Sequence, residues 1–273
     1  MNIMSKAFVI DISHCNGCYN CQLACKDEHC GNDWTPYAKP QPDIGQFWLH
    51  LKEYTWGTVP KVQMHYVPTL CNHCANPACM KADTNGAISR SQDGFVIIEP
   101  EKAVGQKQLV DACPYGAIYW NEELNIAQKC TGCAHLLDNG YELPRCVEAC
   151  PTDCIKFGEE EDLADDILGA ITLQPELGTG PKVYYRNMPG KFIAGEVIDP
   201  EAKEVVIGAK VRAVTGGKVY TTTTDEFGDF WFKDLAIGKF DVTVEAKGYK
   251  PVYFYNVDTR DCANLGNIML EKE

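Results

Sequence analysis

No stretch of this sequence approaches about 18 consecutive apolar residues, so the chain is not expected to cross a membrane with a helix of its own. Basic residues are outnumbered: 25 Lys and Arg stand against 38 Asp and Glu, and the resulting net charge of −13 argues against nucleic acid as a partner. Met1 to His14 hold only a short apolar stretch, Ala7-Phe8-Val9-Ile10, broken by Asp11. Neither a small-residue cleavage site nor a twin arginine accompanies it, so no export signal is read there and the cytoplasm is the expected compartment. No nucleophile–base–acid triad or carboxylate pair stands out. Catalytic residues are therefore expected to be absent from this chain.

Cysteine is what the sequence has in excess. Fifteen in 273 residues, without an export signal, read as metal ligands rather than a disulfide framework. The first run is Cys15-x2-Cys18-x2-Cys21-x3-Cys25, and the last is Cys130-x2-Cys133-x12-Cys146-x3-Cys150-Pro151. Between them lie Cys71-x2-Cys74-x4-Cys79 and a lone Cys113-Pro114. Three close thiolates with a distant fourth before proline is the spacing with which bacterial ferredoxins hold a four-iron cubane. In two-cluster ferredoxins the fourth cysteine of each run serves the other cluster. Applied here, cluster one takes Cys15, Cys18, Cys21 and Cys150, and cluster two takes Cys25, Cys130, Cys133 and Cys146. Cluster three takes Cys71, Cys74, Cys79 and Cys113. Three [4Fe-4S] clusters would make the chain more acidic still, by roughly −2 each.

A fourth cluster would need a thiolate at position 83 and three more near 103, 106 and 109. Those positions hold Asp83, Ala103, Gln106 and Leu109, and alanine and leucine ligate nothing. Structural zinc is the competing use of the cysteines, since two all-cysteine sites would occupy eight of them. Zinc leaves unexplained both the four-cysteine runs and the proline after the fourth ligand. Cys154 aligns with Ala87 and Ala117 in an internal repeat and is expected to pack as a small apolar residue. Cys30 and Cys262 carry no assigned role. His14, His29, His73 and His135 sit close to cysteines and are read as solvent-facing or as hydrogen-bonding around the clusters. Lys26 and Lys129 abut ligands, where they would either raise cluster potentials or simply face water. Trp34, Trp48, Trp56 and Trp120 are read as packing residues.

The repeat is Cys113-Pro114-Tyr115-Gly116-Ala117-Ile118 against Cys150-Pro151-Thr152-Asp153-Cys154-Ile155, with a third copy in which Asp83 replaces the cysteine. Strand, cysteine loop, short helix and strand, repeated, give an α+β reading. Residues 1–158 are expected to form two ferredoxin-like modules, the second (about 60–125) inserted into the first. Residues 159–191 begin with an acidic run and read as a linker and connecting segment. Residues 192–273 alternate apolar and polar, as in Phe240-Asp241-Val242-Thr243-Val244, with glycine turns recurring every 8–12 residues or so. Gly208-Ala209-Lys210-Val211 and Thr224-Asp225-Glu226-Phe227-Gly228 resemble the carboxypeptidase-regulatory-like fold, a seven-stranded β domain to which no chemistry is assigned.

The four-run arrangement resembles the iron–sulfur subunits of the molybdopterin enzymes related to dimethyl sulfoxide reductase. Trp120-Asn121-Glu122-Glu123, Ala127-Gln128-Lys129-Cys130-Thr131 and Pro175-Glu176-Leu177-Gly178 are similar to the branch of that family acting on polyhydroxylated aromatics: transhydroxylases, resorcinol hydroxylases and catechol dehydroxylases. The resemblance implies a heterodimer in which a large partner carries molybdenum bis-pyranopterin guanine dinucleotide and does the chemistry. This chain would carry electrons. Family members typically hold four clusters leading to a membrane anchor, and the cluster missing here corresponds to the one facing that anchor.

Overall fold

The computed structural model describes residues 5–273; the first four residues of the segment read for an export signal lie outside it. The chain divides into two compact units, one of residues 5–53 and His65–Met188, the other of Tyr54–Met64 and Pro189–Glu273. No described helix is long and apolar enough to cross a membrane.

The first unit is α+β. Strand β1 (Lys6–Asp11) leads into the first cysteine run and helix α1 (Asn20–His29), followed by a hairpin of β2 (Leu49–Thr58) and β3 (Lys61–Leu70). The middle of the chain gives α2 (Ala78–Ala82), β4 (Ile88–Arg90), β5 (Val96–Ile98), α3 (Gln108–Asp111), β6 (Tyr119–Asn121) and β7 (Ile126–Gln128). Helices α4 (Ala134–Leu137) and α5 (Arg145–Glu148) flank the last run, before β8 (Ile155–Glu159), α6 (Ala164–Ile167) and β9 (Val183–Arg186). Strands β4 and β5 form one antiparallel hairpin, and β6 and β7 another. β1 is the centre of a three-stranded sheet, antiparallel to β8 and parallel to β9. The unbroken apolar run Ala7-Phe8-Val9-Ile10 suits that place, buried on both faces.

The segment expected as a linker is therefore part of this unit. Two of its acidic residues are paired: Glu160 with Lys182 and with the Tyr184 hydroxyl, Asp166 with Lys156 and Arg186. Val183 and Tyr185 of β9 are buried against β1. Read locally, the acidic run looks solvated; its cations lie 10 to 22 residues away in the chain.

The second unit is a β-sandwich. β10 (Lys191–Asp199) pairs with β11 (Glu204–Val205), β14 (Asp229–Leu235) and β17 (Ala263–Met269). A second sheet runs in the order β13 (Lys218–Thr223), β12 (Lys210–Thr215), β15 (Lys239–Glu245), β16 (Val252–Asp258). Alternate residues fill the space between the sheets, Ile193, Val197, Phe230 and Ile268 from one and Val211, Phe240, Val242 and Val244 from the other. One strand more than the expected seven is present, the two-residue β11. Asp199 turns the chain back for it by accepting the Glu201 and Ala202 N–H groups. The unit also takes in the tip of the β2–β3 hairpin, outside the expected 192–273. There Lys61 pairs with Asp229, Asn264 donates to the Thr58 carbonyl (3.1 Å), and Lys191 covers the Trp56 ring at 3.9 Å.

Candidate metal centres

The opening Cys-x-x-Cys step of each of the three runs shares one backbone device. Its third residue has positive φ: Gly17 (+75°), His73 (+42°) and Gly132 (+65°). Glycine enters this region at no steric cost. At two loops there is a second demand: a Cβ on Gly17 would meet the Tyr66 ring at 2.6–2.7 Å, and one on Gly132 would meet Phe95 at 2.7–3.0 Å. Each of these two loops is thus pressed under an aromatic ring that only a bare α-carbon admits.

These turns, with α1 and the chain before β8, bring distant cysteines together. Cys15, Cys18, Cys21 and Cys150 line one hollow of about 280 Å³. Cys71, Cys74, Cys79 and Cys113 line another of about 360 Å³. Cys25, Cys130, Cys133 and Cys146, the remaining expected group, are all buried and near enough for their thiols to influence one another. Burial pushes the Cys133 thiol up to about 12 and Cys130 to about 11, with the Cys25 and Cys146 thiols well above their ordinary value, and neighbouring thiols of the group add to the rise. Cys21 and Cys25 lie one turn apart on the same face of α1, yet serve different groups.

The donor set fits iron–sulfur clusters. Among the described residues no three His, Cys, Asp or Glu groups converge on a point for a single metal ion; eight of the thiols line two hollows instead. Sulfur already accepts backbone N–H groups, Cys113 from Ala117 (3.4 Å), Cys130 from Gly132 (3.3 Å) and Cys150 from Cys154 (3.3 Å). Further donors wait nearby. The His73 Nδ1 accepts the Val96 N–H (3.1 Å), which leaves the proton of the neutral ring on Nε2. Burial and then the Lys129 charge hold that ring neutral, well below 6.5. His73 Nε2 and Thr131 Oγ1, both beside ligand cysteines, are buried without a partner, and a sulfide-rich guest satisfies such donors.

Asp83, Ala103, Gln106 and Leu109 also come together, and they are sealed. Gln106 Nε2 donates to Asp83 Oδ1 (3.0 Å) and to the Lys102 carbonyl (3.0 Å), while its Oε1 accepts from Thr84 N–H (2.9 Å). Asp83 Oδ2 accepts the Ile88 N–H at 2.8 Å, a turn bond like the one each repeat cysteine makes through sulfur. Burial alone would raise the Asp83 carboxyl, but the bonds from Ile88, Gln106, Ala87 and Asn85 outweigh it and hold the group below 3.8. Ala103 and Leu109 are fully buried in the packing beneath.

Other residues depart from their sequence readings. Cys154 is buried as expected, but it lines the first hollow, and its hydrogen bond with Cys15 holds Cys15 below its ordinary value and itself above. His29, His73 and His135 are buried, so of their two readings the solvent-facing one does not hold for them. His135 stacks on Trp34 (4.5 Å between centroids) and meets Glu28 at 3.1 Å; His29 packs on Trp48. Trp34 and Trp48 thus pack as expected. Cys30 contacts Asp43 at 3.3 Å, away from the thiol groups. Lys26 reaches the carbonyls of Pro42 and Gln46 (3.2 Å to the latter). Lys129 is 2% exposed; nothing in the sequence marked it as buried beyond its place next to Cys130.

Two family descriptions match the chain. A 4Fe-4S dicluster domain covers residues 62–160, and a carboxypeptidase regulatory-like domain covers residues 193–271. The pyrogallol hydroxytransferase small subunit of Pelobacter acidigallici is 41% identical over 252 residues, 88% of this chain and 90% of that one. The chain belongs to the iron–sulfur electron-transfer subunits of the dimethyl sulfoxide reductase family. Other members of that family are similar across its lineages. The arsenate respiratory reductase iron–sulfur subunit of Shewanella sp. (strain ANA-3) is 30% identical over 67% of this chain and 96% of its own length. A subunit of the anaerobic dimethyl sulfoxide reductase of Escherichia coli (strain K12) is 35% identical over 57% and 74% respectively. The dicluster match begins after the first cysteine run, so the placement of Cys15 to Cys25 rests on the geometry above.

Proposed function

We propose that this family member carries three [4Fe-4S] clusters on the twelve cysteines as grouped above, within two ferredoxin-like modules of its first unit. Its partner would be a large molybdopterin subunit, holding the molybdenum bis-pyranopterin guanine dinucleotide, that acts on polyhydroxylated aromatics in the cytoplasm. Transfer of hydroxyl from pyrogallol to give phloroglucinol is the leading reaction. The observation that carries the reading is the grouping of thiols: Cys150 reaches the hollow of Cys15, Cys18 and Cys21 from 129 residues beyond Cys21, and Cys113 that of Cys71, Cys74 and Cys79 from 34 residues beyond Cys79.

When bound, each cluster supplies a site that takes up or gives back one electron. The chain's own work is to hold and tune. Burial raises the Cys25, Cys130, Cys133 and Cys146 thiols and keeps them protonated until metal displaces the protons. N–H groups of Ala117, Gly132 and Cys154 stabilise charge on sulfur. The aromatic-capped loops fix where the ligands stand. A sealed fourth position favours hydroxyl transfer, which needs no net electrons, over a reductase fed from a membrane. The arsenate reductase likeness keeps an inorganic-substrate reductase as the second reading.

Anaerobic co-purification with the large subunit tests this. The complex should hold about twelve irons on this chain, four per cluster, and form phloroglucinol from pyrogallol without added reductant. Cys113→Ser should remove about four irons while the other two clusters keep their spectra. Zinc in place of iron, or loss spread over all three signals, would sink the grouping. Activity that appears only with an external donor would favour the second reading.

A further inference from the structure

Lys129 lies one residue before Cys130, and it is an ammonium taken almost wholly out of water. Its Nζ donates to the carbonyls of Val96 and of Cys130 (2.8 Å to the latter). Among the described residues no carboxylate pairs with it. The side chain lines the hollow of Cys71, Cys74, Cys79 and Cys113, while its Nζ sits on the backbone of Cys130, a member of the second group. Cys130 and Cys71 in turn are close enough to interact, so the two groups adjoin at this lysine. It does not line the hollow of the first group.

A buried charge without a counter-ion is costly by several kcal/mol. Two backbone carbonyls offset part of that cost, and an anion on each side would offset the rest. The second and third thiol groups stand where those anions would be.

We propose that Lys129 is the shared counter-charge of the second and third clusters, holding both potentials up together and making that pair the resting place of electrons. This rests on the cluster reading above. The sign follows from Coulomb's law: an added electron makes a cluster more negative, so a nearby cation stabilises the reduced form and raises the potential. Burial limits screening by salt, so the effect persists at high ionic strength. An electron entering at cluster one would settle deeper in the subunit and remain available to return.

The test is a potentiometric titration of the anaerobic complex followed by electron paramagnetic resonance, with iron analysis of each preparation. Lys129→Met keeps the apolar stem and removes the charge; Lys129→Gln keeps a donor for the carbonyls; Lys129→Arg keeps the charge. In Met and Gln variants with full iron, two of the three midpoints should move to more negative values together, the third staying in place. Lys129→Arg should leave all three near wild type. A shift in one midpoint, in all three equally, or in none overturns the proposal. Loss of iron from the uncharged variants and from Lys129→Arg alike would mean a packing role and overturn it too. A wild-type complex with fewer than three clusters fails the functional reading instead, whatever Lys129 does.

Discussion

Replacing Gln106 by leucine tests whether the position of a fourth cluster is closed by hydrogen bonding. Leucine is near glutamine in volume, so the substitution leaves little cavity, and the cost falls on polar groups stranded by the loss. Gln106 is 2% exposed and joins Asp83, Thr84, Lys102 and Gln108. The Thr84 hydroxyl and the Gln108 amide lie near the surface and can turn to water. The Thr84 N–H and the Lys102 carbonyl lose a partner in a part-buried setting. One or two such groups cost about 1–3 kcal/mol in total, allowing for partial solvation. For a chain of this size each kcal/mol lowers Tm by about 2–4 °C, so a fall of about 2–12 °C is expected by calorimetry of the anaerobic protein. Iron per chain should not change. A Tm within about a degree of wild type would refute the seal. So would a fall of about four irons, because Gln106 would then be supporting a cluster.

Two further outcomes follow from single positions. Gly17→Ala forces a side chain into the left-handed region, at a cost of about 1–2 kcal/mol, and drives its Cβ into the Tyr66 ring; the first cluster's signal should be lost while the others persist, and a fully loaded variant of unchanged Tm would contradict the loop argument. Asp166 is held below 3.8 first by the Lys156 ammonium and also by Arg186. Its folded pKa is depressed, so its contribution is full above that ordinary value and disappears as pH falls through the lower one; Asp166→Asn should lower stability at pH 7 by no more than roughly 1 kcal/mol, and the gap to wild type should close as pH falls through that window. No difference from wild type at pH 7, or a difference that persisted undiminished at the acid end, would remove the clasp from the account of β9.

The parts of the molecule legible in the sequence are those whose determinants are local. Cysteine spacings and the alternation of β15 each act over a few residues, and the β-sandwich appears where the alternation pointed. The parts that were not legible depend on partners far along the chain. β9 reads as connecting chain because its place beside β1 is set by Phe8–Ile10, about 175 residues earlier. The acidic run reads as a linker because the pairs that dock it, Asp166 with Lys156 and Glu160 with Lys182, span 10 and 22 residues. Tyr54–Met64 belong to the β unit through Asp229 and Asn264, which no local pattern could announce. Cys154 looked like alanine in the repeat, and only its place in the first hollow shows its thiol meeting Cys15.

Charge at Lys129 and closure at Asp83–Gln106 bear on one question, which is where an electron can go once it has entered. Replacing ligands by Ala103 and Leu109 would by itself leave an empty space, and an unfilled cavity costs stability in proportion to its volume. The chain fills that space with apolar side chains and a satisfied polar network, so the loss of a site is built into the packing. On the proposed reading, the path then ends at the third cluster, and the cation that raises its potential stands beside that end, not along an exit. A conduit to an external carrier gains little from a cation that holds electrons at its far end. A reservoir for a reaction that returns what it borrows gains directly, because electrons held there stay within reach of the first cluster and are shielded from stray acceptors.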